Sequence, residues 1–560
     1  MKKKLSISLV MAALLGATGC TKLNEKILDE YSTSGLTDKQ AAEAIIAPVY
    51  ALLPTVYLHT NYFALQEIST DEAILPYRGG TDWGDNGIYI ALHSHNYGAT
   101  DPNMKSTWNT ITMGISRAIT ALNTLPELKD ASVKTFRAEA KAMRAYYNML
   151  LLDMWGLVFV KDDPKAVSKI LRGSDAYEYV KSELLAAEPD LESNVTQGRV
   201  SKEACWGLLA RLYLNAGVYK DVYKQVTFSA DDMTKVMEYC DKVLASTKYQ
   251  LSAEYFSIFD DNNDTNKEIV FAVDQRSDLN GHNRMAYFSL SGDQFPLPDY
   301  VGANGTDGPA ITSDFYRTWA NAYAPADPAV DPRFYKENLS IYSHPEDSCV
   351  PADKFKINRG ILRGQQYGLI RKNGVFLKCQ TGEMKVGQLF HDTRNKPTLP
   401  VIFTEKVDFT TEGSNYPSGY RVSKYEFSRK SVSGRNFGEA NIVILRLADI
   451  YLMRAEARLR KNNDVNGALT DVNTIRASRT ARQAVPQLKT MDLETLYRER
   501  GFELYWECLR RTDMIRFGKY EDTWTEKSDK EVKKRIFPIP QTAIDGAANL
   551  GNYLVQNPGY

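Results

Sequence analysis

Apolar positions between 133 and 155 fall on one stripe. Phe136, Ala140, Met143, Tyr147, Leu150 and Met154 recur at steps of 4, 3, 4, 3 and 4. That spacing puts all six side chains on one face of an α-helix, and Trp155-Gly156 ends it. The stretch 201–216 repeats the pattern with Cys205, Leu208, Leu212 and Ala216. Ser201 and Glu203 stand near its start, and Gly217 reads as its C-terminal stop. Residues 233–245 carry a third stripe: Met233, Val236, Met237, Cys240, Val243 and Leu244. Consecutive helices of about 12–22 residues with short links predict stacked hairpins of the tetratricopeptide kind, although no strict repeat of about 34 residues is present.

The pattern changes between 250 and 440. Turn formers cluster in DDNNDTN (260–266), GDQFPLPDYVGANGTDGP (292–309) and APADPAVDPRF (324–334). Short apolar runs at Ile269–Val273 and Leu399–Phe403 predict isolated strands. Helical periodicity returns with Ile444, Leu447, Tyr451, Ala455 and Leu459, then Ala468, Val472 and Ile475, then Leu493, Leu496, Leu504 and Cys508. A Pro-bounded irregular tail closes the chain. The expected organisation is an N-terminal helical scaffold with an early binding loop (36–250), a loop-rich ligand-binding insertion (251–440), and C-terminal helices with the tail (441–560). Long loops on a rigid scaffold are where binding residues concentrate.

The N-terminus alters the composition. Lys2, Lys3 and Lys4 precede an apolar run from Leu5 to Leu15, and small residues lead to Cys20. This predicts a signal peptide over 1–19, too short to span a bilayer as a mature helix. The ending ATGC resembles a bacterial lipobox, which makes Cys20 the lipidated first residue and 20–35 a polar tether. Basic and acidic residues are equal at 69 each in the full chain of 560. Loss of Lys2–Lys4 leaves 66 against 69 over 541 residues, a net charge of −3. Nucleic acid is not expected as a partner. No later stretch reaches about 18 apolar residues, so the body is expected to be soluble and to hang from its lipid. Thr21 follows Cys20 in place of the Asp that often retains lipoproteins in an inner membrane, which favours the outer membrane. Of the five other cysteines, Cys205, Cys240 and Cys508 fall on predicted helix faces as buried small hydrophobes. Cys349 and Cys379 could pair in an oxidising compartment, a question that spacing leaves open.

Five strings carry a resemblance: AKAMRAYYNMLLLDMWG (140–156), GRVSKEACWGLLARLYLNAGVY (198–219), YQLSAEYFSIFDDNNDTNKEIVF (249–271), VILRLADIYLMRAEARLR (443–460) and RERGFELYWECLRRTDMIRFG (498–518). With PIP (538–540) and QNPGY (556–560), they resemble in order the SusD/RagB family of Bacteroidetes outer-membrane lipoproteins. Cys508 departs from the family's usual Gly before the Arg-Arg pair, and Ala17 departs from the usual lipobox Leu. The resemblance implies a mainly α fold, in which tetratricopeptide-like hairpins form a superhelical scaffold and a loop-rich insertion carries short strands. It implies a cell-surface protein that binds oligosaccharide without catalysis and delivers it to a SusC-like TonB-dependent transporter. Some relatives bind peptides, which is the alternative.

Sugar rings stack C–H faces on aromatic planes, and their hydroxyls need paired donors and acceptors. Trp83 is the leading candidate, in the Gly- and Asp-rich loop TDEAILPYRGGTDWGDNG (70–87), with Asp71, Arg78, Asp82 and Asp85 nearby in sequence. Trp319 is second, flanked by Tyr316 and Tyr323 at helical spacing; its competing role is in a short helix buried by those aromatics. Gln366 and Arg371 could bond hydroxyls, or could belong to a solvated loop. Trp108, Trp155, Trp206 and Trp506 are expected in the core, the last two on helices.

Catalytic signatures are missing: the chain has no GxSxG, Walker A loop or HExxH. Asp71-Glu72 are adjacent and point apart, whereas a glycosidase needs two converging carboxyls, so a glycan-degrading enzyme is the weaker rival. A purely structural adaptor is a further alternative. His93 and His95 lack an evident third metal ligand and are expected as a loop or strand pair. DDNNDTNKE (260–268) starts like a calcium loop but lacks the required Gly and Glu. Neither a cofactor nor a metal is expected.

Overall fold

The computed structural model describes residues 36–79, 85–125, 132–276, 278, 283–295, 305–338, 348–372, 375–427 and 438–560. Its longer helices run in chain order as α1 (Asp38–Tyr50), α2 (Pro102–Thr124), α3 (Val133–Trp155), α4 (Gly173–Ala187), α5 (Lys202–Leu214) and α6 (Ala230–Leu244). After them come α7 (Ser313–Tyr323), α8 (Leu447–Asn462), α9 (Val465–Ser478), α10 (Leu493–Leu504) and α11 (Arg510–Phe517). Helix α2 packs on α3, α3 on α4, α5 on α6, α6 on α8, and α8 on α9 and α10. The fold is therefore mainly helical, built of tetratricopeptide-like hairpins with scattered short strands.

Capping chemistry fixes several starts. Thr37 forms a capping box with Gln40 ahead of α1, and the Ser201, Ser229 and Asp492 side chains accept the backbone N–H of Ala204, Asp232 and Thr495. Helix α3 spans the residues its stripe predicts, and Gly156 ends it at φ +67. Gly217 is not a stop: α5 ends at Leu214, and Gly217 lies inside a short helix, Ala216–Lys220. A Cβ there would come within 2.0 Å of the Thr227 carbonyl oxygen, so glycine admits a close backbone approach. Trp506 and Cys508 are not helical either. They occupy the turn between α10 and α11 at φ +58 and +61. Both are buried, as are Cys205 and Cys240.

The strand Ile269–Val273 pairs antiparallel with Ile442–Arg446, joining the chain on entry to the loop-rich middle with the chain on exit. Ile444 therefore belongs to a strand, not to the α8 stripe. The apolar run at 399–403 divides between the strands Lys396–Pro400 and Ile402–Phe403, which pair with different partners. Cys349 and Cys379 form a disulfide.

Both tail motifs reach the end of α3. The Trp155 indole donates to the Pro538 carbonyl at 2.9 Å. The Asn557 amide donates to the carbonyls of Trp155 and Phe537 at 3.0 and 2.8 Å. Among the described residues, no helix is long and apolar enough to cross a membrane.

Candidate ligand-binding site

Backbone geometry shapes the loop around 75–89. Gly79, Asn86 and Gly87 sit at φ +68, +56 and +74, so both arms turn through the left-handed region. A Cβ at Gly79 would lie 2.6 Å from Cε2 of Tyr416, so only glycine lets this arm lie against that ring. One at Gly87 would lie 3.4 Å from the Tyr77 hydroxyl, which places Tyr77 beside the second arm. Tyr77 is 37% exposed, and Tyr416 is half-buried.

Arg78 fastens this loop from beneath. Its buried guanidinium donates to the carbonyls of Gly308 (2.6 and 3.0 Å), Ser418 (2.7 Å) and Asn415 (3.3 Å). Three segments far apart in sequence therefore meet on one side chain. Asp85 accepts the Tyr89 N–H at 3.2 Å and steadies the second arm.

The ring of Tyr416 lies among nitrogen groups. His391 is tilted against it at 5.1 Å, and the Arg394 and Lys396 cations are 5.9 and 5.7 Å from its centroid. Buried Asp307 accepts from Arg394 Nε at 2.8 Å. Burial lowers the His391 imidazole to about 4, so it is neutral at neutral pH. Arg371 joins the edge of this group: it donates to Asp293 at 3.2 Å, and Asp293 also accepts the N–H and hydroxyl of Thr393 at 3.0 and 2.8 Å. Ring surfaces and hydrogen-bonding groups suit recognition of a polar ligand. Among the described residues, Asp307 is held by Arg394 and Asp85 by the Tyr89 amide.

Other candidates lie elsewhere. Asp71 makes a two-point ion pair with Arg510, at 2.7 and 2.8 Å, beside a separate cleft of about 500 Å³. Trp319 is fully buried, stacked 3.7 Å from Phe502. Tyr316 packs edge-on to Tyr420, and the Tyr323 hydroxyl donates to Asp331. The buried Gln366 amide donates to the carbonyls of Arg363 and Gly364 at 3.1 and 3.0 Å. Trp83, Asp82 and Cys20 lie outside the described residues. His93 and His95 are buried at the end of a short helix and in the turn after it. Their ring nitrogens face the carbonyls of Ile68, Ala73, Thr525 and Ser69. No group of three metal-ligating side chains occurs among the described residues.

Sequence reasoning passed over Tyr77, Asn86, Arg394, Lys396 and Tyr416. The usable signal for Tyr416 is its place in GSNYPSGY (413–420), a turn-rich string with an aromatic at its centre.

A helical-hairpin scaffold presenting a loop-built polar and aromatic site defines a binding-protein architecture. Two family profiles match the chain: "SusD family" over 401–560 and "Starch-binding associating with outer membrane" over 26–214. The starch-binding protein SusD of Bacteroides thetaiotaomicron is 25% identical over 528 residues, covering 89% of this chain and 85% of that protein. Among solved structures, a laminarin-binding SusD-like protein matches with a TM-score of 0.62 at 20% identity, covering 94% of this chain and all of the other. Surface glycan-binding protein A from Bacteroides fluxus matches at 0.63 and 16% identity, covering 94% and 100%. The chain belongs to the SusD family.

Proposed function

We propose that this protein is a cell-surface glycan-binding lipoprotein of the outer membrane, held by a lipid on Cys20. It delivers an oligosaccharide to a SusC-like TonB-dependent transporter and does not cleave it. Relatives named for starch, laminarin and surface glycans support the ligand class. The observation that carries the reading is the packing of the Tyr416 ring against Gly79, which joins the 75–89 loop to a cluster of hydrogen-bonding groups. Trp83, inside that loop, remains the leading stacking platform, with Asp82 and Asp85 as hydroxyl partners.

Calorimetric titration of the mature protein with a glycan identified by array screening tests this. Tyr416→Ala and Trp83→Ala should each weaken binding about five- to tenfold. Unchanged affinity in both variants would move the site elsewhere. Release of reducing ends by the purified protein would replace binding with hydrolysis. Cys20→Ala should free the protein from the membrane fraction, and the wild-type protein should co-purify with its transporter.

A further inference from the structure

A groove of about 720 Å³ runs beside the C-terminal half of α1 and shares no lining residue with the ligand-site loops. Its walls include Ile46 and Pro48 of α1, Leu53 and Pro54 just after it, and Phe136 of α3. The turn at 196–199, closed by the Arg199 N–H on the Thr196 carbonyl at 3.0 Å, completes it. The polar groups at its edge are already engaged. Arg117 donates to the Pro48 carbonyl at 3.0 Å, and the Tyr50 hydroxyl and Arg199 donate to Glu139 at 2.7 and 3.1 Å. Asp274 is paired with Arg276, and Glu43 is exposed to solvent. What the groove offers is chiefly apolar wall, which suits aliphatic and aromatic side chains better than sugar hydroxyls.

The chain carries such side chains close by. Residues 21–35 lie outside the described residues and lead into α1. They hold Leu23, Ile27, Leu28 and Tyr31 among charged neighbours, at steps of 4, 1 and 3, a spacing that gathers apolar side chains on one side. Ile46 is nine residues beyond the Thr37 cap, about 14 Å along the helix. The eight residues 29–36 can extend about 26 Å, so Ile27 and Leu28 can double back that far with length to spare. A segment joined by so short a link is present at a roughly millimolar effective concentration, which an unattached partner must compete against. The starch-binding profile matches from residue 26 to 214, so the matched region takes in Ile27, Leu28 and Tyr31 together with most of the groove.

We infer that residues 23–31, the chain's own N-terminal segment, dock in this groove, with Ile27 and Leu28 as the anchors. Docking shortens the free tether from the sixteen residues 20–35 to the three residues 20–22, and so holds the α1 face near the membrane. That consequence rests on the lipid-anchor reading; the docking itself does not.

Hydrogen exchange on the mature full-length protein tests the contact. Amides of 23–31 and of the turn at 196–199 should both be protected in the wild type, and both should exchange about tenfold faster or more in the double variant Ile27→Asp, Leu28→Asp. Ala47→Trp fills the groove from the exposed side of α1 and should release 23–31 in the same way without altering it. An unchanged helical signal in both variants separates release from unfolding. A synthetic peptide of residues 21–35, added to the double variant, should restore protection at 196–199. Equal exchange in the wild type and both variants overturns the proposal. Groove protection that survives the double variant overturns it too: a rise with protein concentration assigns the groove to a second copy, and a rise on adding the transporter assigns it to that partner.

Discussion

Glu67 and Glu72 are buried together against the turn that follows α10. Glu67 accepts the Cys508 N–H at 2.5 Å and Glu72 the Trp506 N–H at 2.7 Å. Those two residues are the ones at positive φ, so the carboxyls hold a backbone shape that glycine adopts more easily. Burial raises both groups, Glu72 to about 7 and Glu67 well above its ordinary value. The folded protein therefore keeps a proton here that the unfolded chain releases above about pH 4.5. Stability from this pair is present at low pH and is lost as pH rises through the folded value. The slope is at most about 1.4 kcal/mol per pH unit for each carboxyl that stays protonated. Glu67→Gln replaces the proton with an amide, keeps an acceptor for Cys508, and should flatten the decline. Urea melts of both proteins between pH 5 and pH 8 check this: the variant should gain on the wild type as pH rises. A constant difference across that range would show that the pair does not retain its proton.

At the scale of elements, the sequence announced most helices because their apolar positions recur at helical spacing. The α3 stripe from Phe136 to Met154 lies within the helix Val133–Trp155, and the Gly156 stop marks its end, although every residue from Ala142 to Trp155 is buried. It failed where a position answers to a distant partner. Ile444 fits a helical stripe but pairs across to the strand at 269–273. Gly217 reads as a stop because the Thr227 carbonyl that it accommodates lies in a separate loop. The candidate site shows the same division. The loop carrying Arg78 and Asp85 was legible from its Gly and Asp content, whereas Tyr416 joins it only through the fold, across more than 300 residues of chain. Gly217→Ala should accordingly cost about 1–3 kcal/mol, because backbone cannot yield as a flexible side chain does. Gly98→Ala, where no atom lies within 4 Å of an added Cβ, is the matched control and should be near neutral. Chemical denaturation of the two variants checks the pair; equal stabilities would mean that the 221–229 loop shifts freely.

Across the whole molecule, a buried ion network joins segments that the sequence separates. Arg446, at the end of the strand leaving the insertion, bonds Glu268 and Glu503 at 2.8 Å and Glu507 at 2.8 and 2.9 Å. Arg479, just after α9, shares Glu268, and Arg333 of the insertion reaches Glu503 at 3.1 Å. Lys424, also from the insertion, pairs with Glu507 at 2.7 Å, and burial lowers its ammonium to about 8. The arginines in turn hold the Glu503 carboxyl well below the usual range. Such a network contributes little net stability when complete, but removing one member leaves charges unpaired in the interior. Arg446→Met should therefore cost about 3–5 kcal/mol, by exposing Glu268, Glu503 and Glu507 to one another. Because the network belongs to insertion and scaffold alike, both should lose amide protection together in native-state hydrogen exchange. Insertion amides opening first, while α5, α6 and α8 stay protected, would show instead that the paired strands at 269–273 and 442–446 alone anchor the insertion. The ligand site would then ride on a separately melting unit, and glycan affinity would fall at a denaturant concentration that leaves the helices folded. If the network binds the two parts as its geometry indicates, affinity and helical signal should disappear in one transition, in the variant as in the wild type, shifted to lower denaturant.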